Sequence, residues 1–600
     1  MEARFNIFTV IILILAFVVP VLVLPTMLDN AFNTPKTTLA LVGAAAMIGI
    51  YASRLLRGRK ILVSGAPTPK PLLVLIALNL FSFFYTANPY YTVLAVTMNL
   101  TALSLFYFSS LYVTAASAFF VLLAVALSGV LVSIETWLQF FNIFVLFKWA
   151  KPGTTVMGTI GNSNYLGAYL VFPLFALAGL AFLFKGRLRF APIILFVFVL
   201  GAILFSRARA GWFGFFLSLP LFLFLMKRVH GFRLWAYLRS HGLRSAAWGF
   251  VSLSILVSLW LIAPQRFHVM MDFRNVTNPL TLKLRTQKYS RASLWLFKQN
   301  PLFGTGLWSY RNQVFEAQAR INQAEQTFFK DYPEPNPESV HNEYLEVLND
   351  GGLVAASVIV LFLIILFRHA WKFIMDEKAD LNGRVMAAST SCAVIAILLA
   401  AFFFFPFRIN TTLFMTALMM GLTEGFYLQR YGLISAKEGE RSDAKLVIIP
   451  LVVLLLAGIV WYKGIRPFKA EMEHFKYKRA LDRSNAVDAE KYLLKAIEWD
   501  PHNTVYNYYA SQIYMNVLKD YGKASDYIEK ATHDYNGDII RWSLFFVKGL
   551  LKFQAGSLFE ARAAFEKALY YNPEFTAARE KLQEVEKVIK EHDRVLIKIR

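Results

Sequence analysis

Apolar runs of about 20 residues, the length that crosses a hydrocarbon core, recur along this chain from Ile7 to about Leu428, and one more extends from Leu446 to Tyr462. No other feature restricts the fold as strongly. Such runs cross a membrane as helices, because each backbone polar group must then be satisfied within the segment. Composition agrees: 57% of residues are hydrophobic, 16% aromatic, and the mean hydropathy is +0.47, more than a soluble chain can bury. The expectation is an all-α, polytopic membrane bundle with about 13 spans. The first run is read as a retained helix, since no small-residue cleavage pattern follows it.

Basic residues set the expected orientation. With the amino terminus inside, the cytoplasmic loops include RLLRGRK (54–60), KGRLR (185–189), 227–244, 368–384 and 429–445; with the amino terminus they carry about 21 Lys and Arg, against about 6 in the short loops opposite. The segment from about 264 to 350 and everything after the last span are then extracytoplasmic. The formal net charge of +23 reads as topogenic charge, not as a nucleic-acid surface. The single Cys392 lies in an apolar run and excludes an internal disulfide.

The expected domains are a membrane domain over 1–430, a final transmembrane helix at 446–463, and an extracytoplasmic tail over 464–600. In the tail, Ala489, Leu493, Ala496 and Pro501 stand at steps of four, three and five. Ala524, Ile528, Ala531 and Asn536 repeat those steps, as do Ala561, Phe565, Ala568 and Pro573. This pattern resembles tetratricopeptide repeats, an α-solenoid in which small residues let paired helices pack closely and a proline ends the second helix. Gly549 falls where the repeat's close-packing glycine is expected. The alternative is a plain helical hairpin bundle. A repeat stack offers a concave surface to partner peptides or to the membrane domain's own loop.

The chain has no glycine-rich phosphate loop, no HExxH and no cysteine cluster, and GTG at 304–306 lacks the third glycine of a dinucleotide site. No cofactor and no metal are expected, so a reaction must draw on an already activated substrate. Attention goes to polar residues at the outer ends of spans. In LFSRARAGWFGFF, Arg207 and Arg209 separate two apolar runs, a placement that needs an anionic or carbonyl partner, or else two interfacial arginines that snorkel. MGTIGNSNYLGAYL offers Asn162 and Asn164 as hydrogen-bonders to a sugar or phosphate, or as a turn and helix cap. In YSRASLWLFKQNPLFGTGLWSY, Arg291 near a helix start gains nothing from the helix dipole, which points to an external anion. Asn336 and Pro337 read as a cap and first helical position. Ser339 to Leu348 is then expected to be helical, with His341 in its first turns, sharing a face with Tyr344, and kept neutral by the helix's positive end. The histidine is either a base or a structural hydrogen-bonder; Asn342 and Tyr344 either position substrate or cap the helix.

GTIGNSNYLGAYL, SRARAGW, SRASLWLFKQNPLFGTGLWSY and HNEYLEVLNDGGLVAA, in this order and on these sides of the membrane, resemble the O-antigen ligase and O-antigen polymerase-like superfamily of bacterial envelope glycosyltransferases. The resemblance covers roughly residues 70–430, and members with tetratricopeptide tails exist. It implies a glycosyltransferase-C-like membrane domain in the bacterial cytoplasmic membrane. It implies metal-independent, inverting transfer of a glycan from undecaprenyl diphosphate to an acceptor hydroxyl on the outer face. It assigns catalytic roles to His341, Arg291 and Arg209, with Arg207 the competitor of Arg209. Arg207, Asn342, Tyr344, Asn162, Asn164 and Arg285 are the substrate-binding candidates. The expected partners are a lipid-linked glycan donor, a glycan, lipid or protein acceptor, membrane lipids and a protein on the repeats. The acceptor separates a ligase (lipid A-core) from a polymerase (a lipid-linked repeat) and from a protein glycosyltransferase. A non-enzymatic membrane scaffold or a transporter is the reading from another class; inverted repeats would mark the transporter, and none is visible.

Overall fold

The computed structural model describes residues 5–147, 155–232, 261, 284–326, 328–331, 338–438 and 443–599. Eight apolar helices come first: α1 (Ile7–Val21), α2 (Asn33–Leu56), α3 (Pro69–Phe81), α4 (Pro89–Tyr112), α5 (Ala115–Phe140), α6 (Ser163–Leu183), α7 (Phe190–Phe205) and α8 (Arg209–His230). The segment between α8 and the next apolar helix contributes α9 (Ser290–Gln299) and α10 (Tyr310–Glu325). The chain then returns through α11 (Glu343–Met375), α12 (Leu381–Ala400), α13 (Asn410–Arg430) and α14 (Asp443–Val460). Among the described residues nine helices are long and apolar enough to span a membrane; the chain is a multi-pass membrane protein. The expected 13 exceed this because Ile7–Val21 and Pro69–Phe84 are shorter, because Asn410–Arg430 is not among the nine, and because part of that count falls between 233 and 283, where only Leu261 is described. The departure from an all-helical membrane domain is a small antiparallel pair, β1 (Lys60–Ser64) with β2 (Ile434–Glu438), in register Lys60↔Glu438.

Small residues decide which helices touch. A Cβ on Gly211 of α8 would stand 2.6 Å from the Gly167 carbonyl oxygen of α6, and one on Gly214 2.1 Å from that of Ala396 on α12. These glycines let three backbones approach, and packing of this kind holds membrane helices together where lipid is as apolar as the side chains. The α6–α8 crossing also brings the Arg207–Arg209 loop over the start of α6.

The two motifs NPLFGTG and HNEYLEVLNDGG interlock. Gly352 takes φ 63° and ψ −163° inside α11 and breaks its hydrogen-bond ladder. The loop after α9 supplies what the break removes: Leu353 N donates to Pro301 O at 2.9 Å, Val354 N to Leu302 O at 3.1 Å, and Thr305 N to Asn349 O at 2.6 Å. Satisfying freed backbone groups in this way is what permits a kink at membrane depth. A Cβ at Gly352 would meet Leu302 O at 2.3 Å. Gly352→Ala is therefore expected to destabilise the protein by about 1–3 kcal/mol, read as a lower thermal midpoint in detergent; an unchanged midpoint would show that the interlock relaxes freely.

The start of α11 differs from expectation. The helix begins at Glu343, and Asn342 is its cap, accepting from Tyr344 N at 3.0 Å and Leu345 N at 3.2 Å. Residues 339–341 precede the helix instead of lying in it, because the Glu346 carboxylate takes the Val340 N–H at 2.6 Å and His341 adopts φ 59°. Asn336 and Pro337, the expected cap, lie outside the described residues.

Beyond α14, helices α15 (Arg466–Asp482), α16 (Ala486–Trp499), α17 (Thr504–Ile513), α18 (Tyr521–His533), α19 (Arg541–Gln554), α20 (Leu558–Tyr571) and α21 (Thr576–Ile599) follow one another. Ala489, Leu493, Ala496, Ala524, Ile528, Ala531, Ala561, Phe565 and Ala568 are all buried, and Gly549 sits against the Phe565 ring. This tail is docked on the α9–α10 segment. Arg311 Nη1 pairs with Asp538 Oδ1 at 2.8 Å, Asn312 Nδ2 donates to Tyr535 O at 2.9 Å, and Tyr570 OH donates to Glu316 Oε1 at 2.8 Å. From the membrane domain, Asn88 Nδ2 donates to Asn536 O at 2.9 Å, and the Tyr90 and Tyr91 hydroxyls donate to Asp500 and Asp538. Tail, α9–α10 segment and α4 thus form one wall.

Candidate active site

The segment Glu343–Gly351, set off by the kink, places Glu343, Glu346 and Asp350 at steps of three and four, on one helix face. All three meet Arg408, from the short helical turn Pro406–Arg408: Asp350 Oδ2 at 2.6 Å, Glu346 Oε2 at 3.1 Å and Glu343 Oε1 at 3.9 Å. Burial works against the Arg408 charge, but the carboxylates of Asp350, Glu346 and Glu343 more than offset it and hold its pKa above the ordinary arginine value. Removing one partner of such a buried set leaves a charge uncompensated, which costs about 3–5 kcal/mol. The set fixes the backbone ahead of the helix, because Glu346 also holds Val340 N. Sequence reasoning missed it; the signal was the spacing E-x-x-E-x-x-x-D directly after the histidine.

His341 is the residue so fixed. Its ring stacks at 6.1 Å from Tyr289 and meets Phe405 edge-on at 5.1 Å, and among the described residues no hydrogen-bond partner reaches its ring nitrogens. Burial, then the nearby Arg285 charge, pushes its pKa down to about 4. The imidazole is therefore neutral at pH 7, for these reasons and not through the helix end that the sequence suggested. Arg207 and Trp308 share the left-handed backbone of His341, at φ 55° each, as do Asn142, Gln326, Ser484 and Lys519 elsewhere in the chain.

Arginines line the approach. Arg207 closes the α7–α8 turn, Arg209 opens α8, and Arg285 stands in a π-helical turn over Leu284–Tyr289 that runs into α9. Their charges act on one another in sequence: Arg207 on Arg209, Arg209 on Arg285, and Arg285 on His341. Arg285 is held below the ordinary arginine value, first by burial and then by Arg209. No carboxylate among the described residues pairs with any of the three; Arg285 Nη1 reaches only the Phe403 carbonyl, at 3.5 Å. Among the described residues these three guanidiniums have no carboxylate partner, and planar forks of this kind suit phosphate oxygens.

The other expected site residues have internal partners. Arg291 is ion-paired with Glu325 and lies 5.7 Å from the Phe328 ring centroid, so its described partner is internal and not the external anion expected. Asn342 is a cap. The Tyr344 hydroxyl donates to Leu398 O at 2.7 Å and its ring packs on Phe402. Asn162 caps α6 by accepting from Asn164 N at 2.8 Å, and both asparagines are exposed. The structure therefore brings together His341, Arg285, Arg209 and Arg207, and gives the asparagines and Tyr344 structural contacts.

Two cavities meet at Trp308 and Arg408; His341, Arg207, Arg209 and Arg285 line neither. An apolar one of about 250 Å³ lies among α3, α4, α11 and α13, walled by Leu72, Leu75, Phe106, Ile359 and Phe362. A polar one of about 630 Å³ lies between the outer loops and the tail. Trp308 and Arg408 line both. No curated protein matches the chain in sequence. Residues 194–360, less than a third of the chain but the part that carries Arg207, Arg209, Arg285, Arg291 and His341, match the family model for O-antigen ligase.

Proposed function

We propose that this protein transfers a glycan from an undecaprenyl-diphosphate carrier to an acceptor hydroxyl at the outer face of the bacterial cytoplasmic membrane, with its amino terminus inside and its tail outside. The observation that carries this reading is that Arg207, Arg209 and Arg285, without a carboxylate partner among the described residues, act electrostatically on one another and on a neutral His341. In the step, His341 takes the acceptor's hydroxyl proton, the hydroxyl oxygen forms the new bond to the anomeric carbon, and the bond from that carbon to the phosphate oxygen breaks. The electron pair leaves on the diphosphate, where Arg207, Arg209 and Arg285 stabilise the growing charge. Attack from the face opposite the leaving group inverts the anomeric carbon. The apolar cavity ending at Trp308 and Arg408 suits part of a prenyl chain beside a hydrated mouth.

The tail's buried small residues support reading it as tetratricopeptide repeats, and its contact with α10 gives those repeats an intramolecular partner. The ligase reading is preferred to polymerase or protein glycosyltransferase because the family match is to O-antigen ligase. The test is a reconstituted assay in which lipid A-core, a lipid-linked repeat and a serine-rich envelope protein are each supplied with donor. The expected result is a product of inverted anomeric configuration on lipid A-core and release of undecaprenyl diphosphate. Product of retained configuration would overturn the single-displacement step, and product only on another acceptor would overturn the ligase reading.

A further inference from the structure

The cavity between membrane domain and tail is lined by hydroxyls, amides, charged groups and aromatic rings. On the membrane side stand Asn33, Thr34, Thr37 and Thr38 of the first turns of α2, with Tyr90 and Tyr91 of α4; on the tail side stand Glu471, His474 and Tyr506. Its near end is closed by Ser339 and Phe405, the first two residues before His341 and the second in contact with the histidine ring. Arg207, Arg209 and Arg285 do not line it. The cavity therefore approaches His341 away from the arginine row.

Its charged groups are largely spent on one another. Arg311 pairs with Asp538 and Glu338, and Arg408 with Asp350 and Glu346. His474 and Lys478 both reach Asp29. The Lys463 ammonium lies 5.0 Å from the Tyr90 ring. A diphosphate gains less here than at three unpaired arginines. What remains unsatisfied is hydrogen-bonding capacity in buried positions: His474 is 2% exposed, and its Nε2, like Arg408 Nε, has no hydrogen-bond partner. Burial raises the Asp29 pKa, but the bonds from His474 and Lys478 outweigh it and hold the carboxyl at about 2. Asp29 is thus an acceptor, bonded by His474 Nδ1 at 3.1 Å, and His474 Nε2 is left without a partner among the described residues. Buried polar atoms left open beside a cavity call for a ligand or ordered water.

We propose that this cavity binds a saccharide chain, with the carboxy-terminal helices forming one wall of the site. Sugars present apolar C–H faces, which pack on tyrosine rings, and paired hydroxyls, which both donate and accept; amides, hydroxyls and carboxylates between aromatic rings match that chemistry. A volume of about 630 Å³ lies within the roughly 300–1,000 Å³ range of ligand pockets. Resting on the transfer reading, the bound chain is the acceptor, its reacting hydroxyl at the Ser339 end facing His341, and the tail helps to select it.

The experiment is saturation-transfer NMR on the full-length protein in detergent, with neutral hexasaccharides of glucose, galactose and N-acetylglucosamine, a serine-rich decapeptide and inorganic diphosphate as separate probes. Thr37→Trp, which fills the cavity from α2, is the variant, and Thr34→Trp replaces it should the first fail to fold. Binding of a hexasaccharide, weakened at least tenfold by the tryptophan while diphosphate binding persists, is expected. Binding of the decapeptide alone, of no hexasaccharide, or of hexasaccharide unaffected by either tryptophan overturns the site. Hexasaccharide binding in a protein without transferase activity would keep the site and sink the transfer reading; transfer unaffected by a folded tryptophan variant would do the reverse.

Discussion

Replacing His341 with alanine is expected to lower the rate of glycan transfer by about 10²–10⁴, the range of general-base assistance, while leaving donor affinity within a few-fold. The separation follows from the geometry: the arginines proposed to hold the diphosphate do not hydrogen-bond to the histidine, whose contacts among the described residues are the rings of Tyr289 and Phe405. Its pH dependence is distinctive. In the free protein burial and Arg285 depress the His341 pKa to about 4, so the neutral, proton-accepting form dominates above that value and is lost as pH falls through it. The acid limb of kcat/KM for the donor is expected near pH 4. A bound diphosphate screens Arg285, so the acid limb of kcat is displaced to higher pH. Such a shift requires linkage between anion and imidazole, and a purely structural histidine would not produce it. Full turnover by a folded His341→Ala protein would remove the base from the scheme.

The second large effect separates two arginines six positions apart. Arg285→Ala is expected to reduce turnover by about 10²–10³, as for loss of one preorganised donor to developing charge, whereas Arg291→Ala is expected to reduce it by less than about tenfold. Among the described residues Arg285 has no carboxylate partner, and it acts on His341; Arg291 is already paired with Glu325 across α9 and α10. Arg285→Lys keeps the charge but not the planar fork and is expected to recover only part of the loss. Kinetics and thermal midpoints of the three variants decide the matter. A larger loss in Arg291→Ala than in Arg285→Ala, at equal stability, would return the role to the residue assigned by family resemblance.

The choice between Arg285 and Arg291 shows where sequence reading stops. Apolar runs and the spacing of Ala489, Leu493 and Ala496 expose helices because periodicity is local. The glycines of GNSNYLG and SRARAGW were visible, but their purpose, the backbone contact between Gly167 and Gly211, depends on two helices crossing. The start of α11 was misplaced because Asn336 and Pro337 offer a local cap, while the structure uses Asn342 together with a hydrogen bond from Val340 to Glu346. Arg408 carries no signal of its own among the phenylalanines of FFFFPFR; its partners lie 58 to 65 residues upstream, and only the Glu343, Glu346 and Asp350 face hints at a cation. Which of Arg285 and Arg291 points toward His341 is a matter of rotation about a helix axis, which one sequence leaves open. The β1–β2 pair joins strands about 370 residues apart, beyond any local rule.

The most direct test of the central claim is transfer by the purified protein in lipid, from undecaprenyl-diphosphate oligosaccharides to added acceptor. The wild type is compared with an Arg207→Ala, Arg209→Ala, Arg285→Ala triple variant of matched stability. The account predicts glycan transfer with release of lipid diphosphate by the wild type, and a loss of at least about 10³ in the variant. Equal transfer by both proteins, or none by the wild type with lipid A-core, lipid-linked repeats and envelope protein all supplied, would contradict it.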